Sequence, residues 1–282
     1  MIKFFPGILY VFSMALGVVL LDTIVSKIDP IVSLIITSFF AIIVFHLFTK
    51  TKIKTIYQSC WQDKKQWFLI NCTVLGTWVS TYYSIKWLNP TGYLFLFFLT
   101  LTCTYWIREF IIKRTINRNI INIIFPISFI IIYYLCGPHD LTTQLGIVAG
   151  IISGIFGIFY QIISKDFAVK SKLTATDVLA VRFYFVVLLT PFFMNSSYIE
   201  AISLIEILKL ILVSLFTFIL PLSMNQKSLM SLTMDKHVML ISSLPLVAYF
   251  LQGIFLQQWS YLLLIMSALT FFFLVASQTI SE

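Results

Sequence analysis

Residues 136–144 read CGPHDLTTQ, a short polar break at the middle of a chain otherwise built from long apolar runs. Five runs precede it: Phe5–Val25, Ile31–Phe48, Trp67–Trp87, Gly92–Ile112 and Ile120–Cys136. Five follow it: Leu145–Ser164, Thr176–Met194, Ile205–Gln226, His237–Leu256 and Ser260–Gln278. About 20 mostly apolar residues cross a hydrocarbon core roughly 30 Å thick. The sequence therefore predicts an all-α integral membrane protein with ten transmembrane helices, five in residues 1–140 and five in 141–282. An odd number of crossings per half makes the halves enter the membrane in opposite directions, as in inverted-repeat transporters.

Composition agrees with this reading. Of 282 residues, 60% are hydrophobic and only 11% are charged, whereas soluble domains carry about 25% charged residues. The net charge of +8 does not form one basic face, so nucleic acid is not an expected partner. The cations lie beside apolar runs, where they meet anionic lipid, and they fall in alternate gaps.

With the N-terminus inside, the inward segments hold Lys3, then Lys50, Lys52, Lys54, Lys64 and Lys65. Further inward are Arg108, Lys113, Arg114, Arg118, Lys165, Lys170, Lys172, Lys227 and Lys236. Only Lys27, Lys86 and Lys209 fall outside, and Arg182 lies within a run. Asp29, Asp140, Glu200 and Glu206 are outward. A missed or extra span would reverse every later connection, so the bias supports both the count and an N-in, C-in orientation. The longest connection, Thr49–Gln66, is basic, and Trp61 and Trp67 suit a membrane interface. The first run lacks a small-x-small cleavage site and is read as a span, not a signal peptide. Compact connections suit a bacterial inner membrane.

The halves share a weak internal similarity where each third helix meets its fourth. The first reads YYSIKWLNPTGYLFLFFLTLTCTYW from Tyr82, the second NQKSLMSLTMDKHVMLISSLPLVAYF from Asn225. Each sets a small residue, Ser84 or Ser228, beside a lysine at a helix end, before a turn and a long apolar helix. Here the chain resembles the EamA-type ten-helix transporters of the drug/metabolite transporter superfamily. Ser228 and Pro245 match that family's spacing from small residue to proline, and Arg182-Phe183 matches its Arg-Phe pair. The chain departs at Leu101, where proline is expected, and at Thr37-Ser38, Lys113-Arg114 and Gln257-Gln258. The resemblance implies a secondary transporter moving a small organic metabolite, an amino acid or nucleotide-like solute, by alternating access. The proton-coupling glutamate of the superfamily's smaller multidrug members has no counterpart in the first span, which disfavours proton-coupled drug antiport.

Polar groups inside spans should face the bundle interior or a cavity. Helical spacing aligns Asn71, Leu75, Trp78 and Tyr82 in the third span and Thr102, Tyr105 and Glu109 in the fourth. It also aligns Ser153, Gly157, Tyr160 and Ser164 in the sixth, with Gln161 adjacent, and Met239, Ser242, Leu246 and Tyr249 in the ninth. The substrate-binding candidates are Asn71, Trp78, Tyr82, Thr102, Tyr105, Tyr160, Gln161, Asn225, Ser242 and Tyr249. Aromatic rings would hold the body of a solute and amide or hydroxyl groups its polar ends. Ordinary helix packing gives the same stripes.

Gate or coupling candidates are Glu109, Arg182, Pro221 and Pro245. Arg182 is expected to snorkel to the inner interface. Arg108 and Glu109 point about 100° apart and are not expected to pair with each other. Pro221 and Pro245 each remove a backbone donor and favour a bend. One half would rock against the other about these bends.

An intramembrane enzyme would need converging acid, base, nucleophile or metal groups. His46, His139 and His237 are scattered, Cys60, Cys72, Cys103 and Cys136 form no ligand spacing, and HExxH and GxSxG do not occur. No catalytic residue, metal or cofactor is expected, and the partners are a small-molecule substrate and membrane lipids. A non-transporting sensor or assembly protein is the alternative reading.

Overall fold

The computed structural model describes residues 4–113, 116–137, 139–193 and 202–279. Lys3, Arg114, Met194 and Glu200 lie outside the described residues, as do the side chains of Lys113 and Arg118. Among the described residues every regular element is helical. The first part holds α1 (Phe5–Val25), α2 (Pro30–Leu47), α3 (Ile53–Gln62), α4 (Lys64–Trp87), α5 (Pro90–Lys113) and α6 (Ile116–Cys136). The second holds α7 (Leu141–Ser171), α8 (Ala175–Ala180), α9 (Tyr184–Leu189), α10 (Leu204–Ser214) and α11 (Leu220–Ser231). It ends with α12 (Met234–Ile241), α13 (Leu244–Leu256) and α14 (Tyr261–Thr279).

Among the described residues seven helical stretches are long and apolar enough to cross a membrane: Phe5–Val25, Pro30–Leu47, Pro90–Ile111, Leu141–Ser171, Ala175–Phe193, Leu204–Ser231 and Lys236–Leu256. The chain is an all-helical, multi-pass membrane protein. Phe5, Leu47, Phe192 and Ile254 lie exposed on its outside, where lipid rather than water accommodates them. The other three expected spans are helical but differ in character. α4 is diluted by amide and hydroxyl groups, of which Asn71, Thr73, Thr81 and Ser84 are buried. Asn122–Cys136 and Tyr261–Phe273 are apolar but shorter.

Local chemistry sets the helix ends. Pro30 opens α2, and the Asp29 carboxylate accepts from the Ile31 and Val32 amides at 2.9 and 3.3 Å, a side-chain cap on orphan donors. Asp140 caps α7 through the Thr143 amide at 3.0 Å, and Lys172 ends it with a φ of 52°. Reciprocal capping boxes start α8 (Thr174, Asp177) and α10 (Ser203, Glu206).

One element is unexpected. The basic connection Thr49–Gln66 contains the amphipathic α3, with Ile56 and Cys60 buried and Trp61 78% exposed. It is tied down at both ends. Thr51 donates to Asp177 at 2.6 Å, and Lys170 Nζ lies 2.5 Å from the Asp63 carboxylate.

Helix association in lipid relies on close packing and hydrogen bonds, not on water exclusion. α4 lies along α7, and α1 lies along α11 and the π turn Leu215–Ile219 that precedes it; α5 packs on both α7 and α13. Near the end of α4, the Ser84 hydroxyl donates to the Gly146 carbonyl near the start of α7 at 2.9 Å. Near the end of α11, Ser228 lies over Gly7 near the start of α1, where a Cβ would come within 2.9 Å of its Oγ. Deeper in α1, a Cβ on Gly17 would sit 2.2 Å from the Phe216 carbonyl oxygen. Only glycine permits that approach.

Among the described residues three membrane-crossing stretches are interrupted. Ala175–Phe193 breaks at Val181–Phe183, Leu204–Ser231 carries the π turn, and Lys236–Leu256 breaks at Ser242–Ser243. Pro221 follows the π turn by two residues and Pro245 follows the last break by two. Each lacks the N–H that a continuous helix needs. The first break contains neither proline nor glycine.

Candidate functional site

That first break has a different cause. In a continuous helix the Phe185 amide would donate to the Val181 carbonyl, four residues back. Here the Asn71 side chain from α4 stands between them. Its Nδ2 donates to the Val181 carbonyl at 3.0 Å, and its Oδ1 accepts from the Phe185 amide at 3.4 Å. The Trp67 indole donates to the same carbonyl at 2.9 Å. A side chain inserted into the ladder opens it, and both freed backbone groups stay satisfied in lipid.

The residue at the centre of the break is Arg182, 1% exposed. It does not snorkel. A snorkelling side chain follows its helix axis towards the interface, but the opened turn directs this one inward. Its guanidinium carbon lies 4.8 Å from the centroid of the Tyr160 ring and 4.6 Å from that of Phe183. Nη1 donates to the Tyr160 hydroxyl at 2.5 Å, which in turn donates to Gln226 Oε1 at 3.1 Å. Nε and Nη2 have no partner.

Arg182 lines a small cavity inside the bundle, of about 40 Å³. That is room for roughly three waters. α7 contributes Gly157, Tyr160 and Gln161, and α11 contributes Leu222 and Asn225. α4 supplies Val74, Thr77, Trp78 and Thr81, α1 supplies Tyr10 and Met14, and α5 supplies Tyr93 and Phe97. Trp78 stacks on Phe218 at 4.2 Å. The Thr81 hydroxyl lies 2.9 Å from both Tyr93 Oη and Ser153 Oγ. Gln161 Oε1 and Asn225 Oδ1 are buried without partners.

Of the residues singled out in the sequence, the cavity brings together Trp78, Tyr160, Gln161, Asn225 and Arg182. The others lie elsewhere. Asn71 clamps the broken helix, and Tyr82 is fully buried with its hydroxyl 2.7 Å from Thr37 Oγ1. Thr102 is buried within α5, and Tyr105 packs edge-on against Trp106 at 5.3 Å. Ser242 bonds back to the Met239 carbonyl at 2.5 Å, and Tyr249 packs among Phe95, Leu96 and Tyr133 and against Trp259. Glu109 and Arg108 do pair, at 2.9 Å, because the long arginine side chain bends back across the angle between neighbouring Cβ directions. Pro221 and Pro245 mark helix interruptions outside the cavity wall.

The α4 face on the cavity is thus Val74, Thr77, Trp78 and Thr81, one position round from the stripe through Asn71 and Tyr82. Tyr10, Thr81 and Tyr93 had a legible signal, a polar atom in an apolar run, but nothing local to rank them above other tyrosines and threonines. No protein-family model matches the chain, and no curated protein sequence does either.

Proposed function

We propose that this chain is a secondary transporter that moves a small organic metabolite, an amino acid or nucleotide-like solute, across a bacterial inner membrane. It works by alternating access between two inverted five-helix halves, with both termini inside, on the plan of the EamA-type drug/metabolite transporters. The observation that carries the reading is the cavity itself. It is a small chamber inside the bundle, mostly apolar in its lining but holding Arg182, Gln161 and Asn225, walled by helices from both sides of the 136–144 break, one of them broken at Arg182. Discontinuous helices at the substrate site are a recurring device of such transporters.

Helix pairing supports the inverted arrangement. α4 against α7 in one direction is matched by α1 against α11 in the other, and the Ser84–Gly146 contact by that of Ser228 with Gly7. The Thr91 hydroxyl at the start of α5 donates to Gln252 Oε1 of α13 at 2.6 Å, joining the proposed outer ends of the two halves.

The test is flux of labelled amino acids and nucleotides into proteoliposomes. Saturable counterflow of one class is expected. Cysteines at positions 91 and 252, in a chain without its native cysteines, should block that flux when bridged and restore it on reduction. Flux undiminished by the bridge refutes alternating access at this end. Absence of counterflow for every class would favour a sensor or assembly role.

A further inference from the structure

Among the described residues Arg182 has no acidic counter-ion. The ion pairs that involve other arginines and lysines among the described residues, Arg108 with Glu109 and Lys170 with Asp63, lie away from the cavity. Two aromatic faces and one phenol hydroxyl contact the guanidinium. These offset only part of the cost of withdrawing an unpaired charge from water. The geometry of the unused donors is specific. Nη1 is committed to Tyr160, which leaves Nε and Nη2. These two sit on one edge of the planar group and form a fork of parallel N–H donors, the shape that binds two oxygens of one oxyanion.

We propose that the cavity takes a solute bearing a carboxylate or phosphomonoester, and that the Nε–Nη2 edge of Arg182 binds that group. The proposal rests on the reading of the chain as a solute transporter and names the class of solute. Tyr160 is a positioning residue: it holds Nη1 and is itself held by Gln226, so the free edge keeps its direction. The unpartnered carbonyl oxygens of Gln161 and Asn225 accept from a nitrogen donor elsewhere on the same solute. Trp78, Tyr93 and Phe97 line the rest of the cavity and face a short apolar part of the solute. An oxyanion is therefore required, and a neutral isostere leaves the buried charge unpaired.

The test is calorimetric binding to the full chain in lipid nanodiscs, with acetate, methyl phosphate and the neutral acetamide as probes, each small enough for a cavity of this size. At least one anion is expected to bind roughly a hundredfold or more tightly than the amide; which anion binds distinguishes carboxylate from phosphate as the recognised group. This comparison uses the native protein and does not depend on a variant folding. Arg182→Gln should abolish the preference, and Arg182→Lys should keep the charge but lose the fork, giving weaker anion binding. The proposal is overturned if the amide binds as well as both anions, if neither anion binds at millimolar concentration, or if Arg182→Gln keeps the preference. Arg182-dependent binding of an anion that shows no counterflow would sink the transport reading and leave the oxyanion site standing. Counterflow of a neutral solute that ignores Arg182→Gln would do the reverse.

Discussion

If Asn71 and Trp67 together satisfy the Val181 carbonyl, losing one must make the other more important. Asn71→Leu removes a bond of 3.0 Å to that carbonyl and a long 3.4 Å contact with the Phe185 amide. Hydrogen bonds inside membrane proteins average about 0.6 kcal/mol and reach about 1.7. The carbonyl still keeps the Trp67 indole at 2.9 Å, so the expected loss is about 1 kcal/mol. Trp67→Phe alone should cost a similar amount. With both gone the carbonyl is buried and orphaned, a penalty of about 1–3 kcal/mol in its own right. The ladder does not reclose, because the Tyr160 and Phe183 rings hold Arg182 in place. The double variant should therefore exceed the sum of the singles by at least about 1 kcal/mol. Unfolding by sodium dodecyl sulphate in mixed micelles, followed by far-UV circular dichroism, measures all four corners of the cycle. Additivity within about 0.5 kcal/mol, or a double variant milder than the sum, refutes the reasoning.

Gly17→Ala places a methyl group against the Phe216 backbone and should cost about 1–3 kcal/mol by overpacking in the same unfolding assay; a neutral result means that α1 and the π turn separate freely. Asp140 is held at about 2, below its usual 3.8, by the Thr142 and Thr143 hydroxyls and the Thr143 amide. Its folded value is the lower one, so its cap on α7 acts fully above about pH 4 and is lost as the pH falls through about 2. The stability difference between the native chain and Asp140→Asn should shrink across that window, and a pH-independent difference contradicts the assignment. Cys136 is exposed, and in the proposed orientation an impermeant maleimide should label it on intact spheroplasts. Cys60 is buried, with its thiol pushed up to about 12, and should stay unmodified. Protection of Cys136 from outside would reverse the topology.

What was legible in the sequence followed from local causes. Apolar length located the helices, but the caps at Asp29-Pro30 and Asp140 went unread, and α7 begins at Leu141, four residues before the apolar run. Pro221 and Pro245 pointed to two of the three interruptions. The third was hidden, because its cause lies 110 residues away in Asn71. Arg182 stood out as a charge within an apolar run, yet its destination depended on whether the backbone around it was continuous. Periodicity placed a polar stripe on α4, but Asn71 and Tyr82 satisfy the Val181 carbonyl and Thr37, so the face on the cavity is turned by one position. Spacing fixes which residues share a face; it does not say what each face meets. α3 was missed because its connection was judged by charge and its ten residues are too short to span.

All three interruptions fall between residues 181 and 243, and two of the broken stretches carry Arg182, Leu222 and Asn225 to the cavity. Trp78, Thr81, Tyr93 and Phe97 project from α4 and α5, which run unbroken. The chamber has one stiff wall and one compliant wall, much as a bellows has a fixed plate and a pleated side. In a cycle of the proposed kind, its volume changes by yielding on the second side alone. The aromatic plate then presents the same surface to a solute arriving from either face of the membrane. In that cycle the proposed grip of Arg182 on a charged group would tighten and slacken with the pleats.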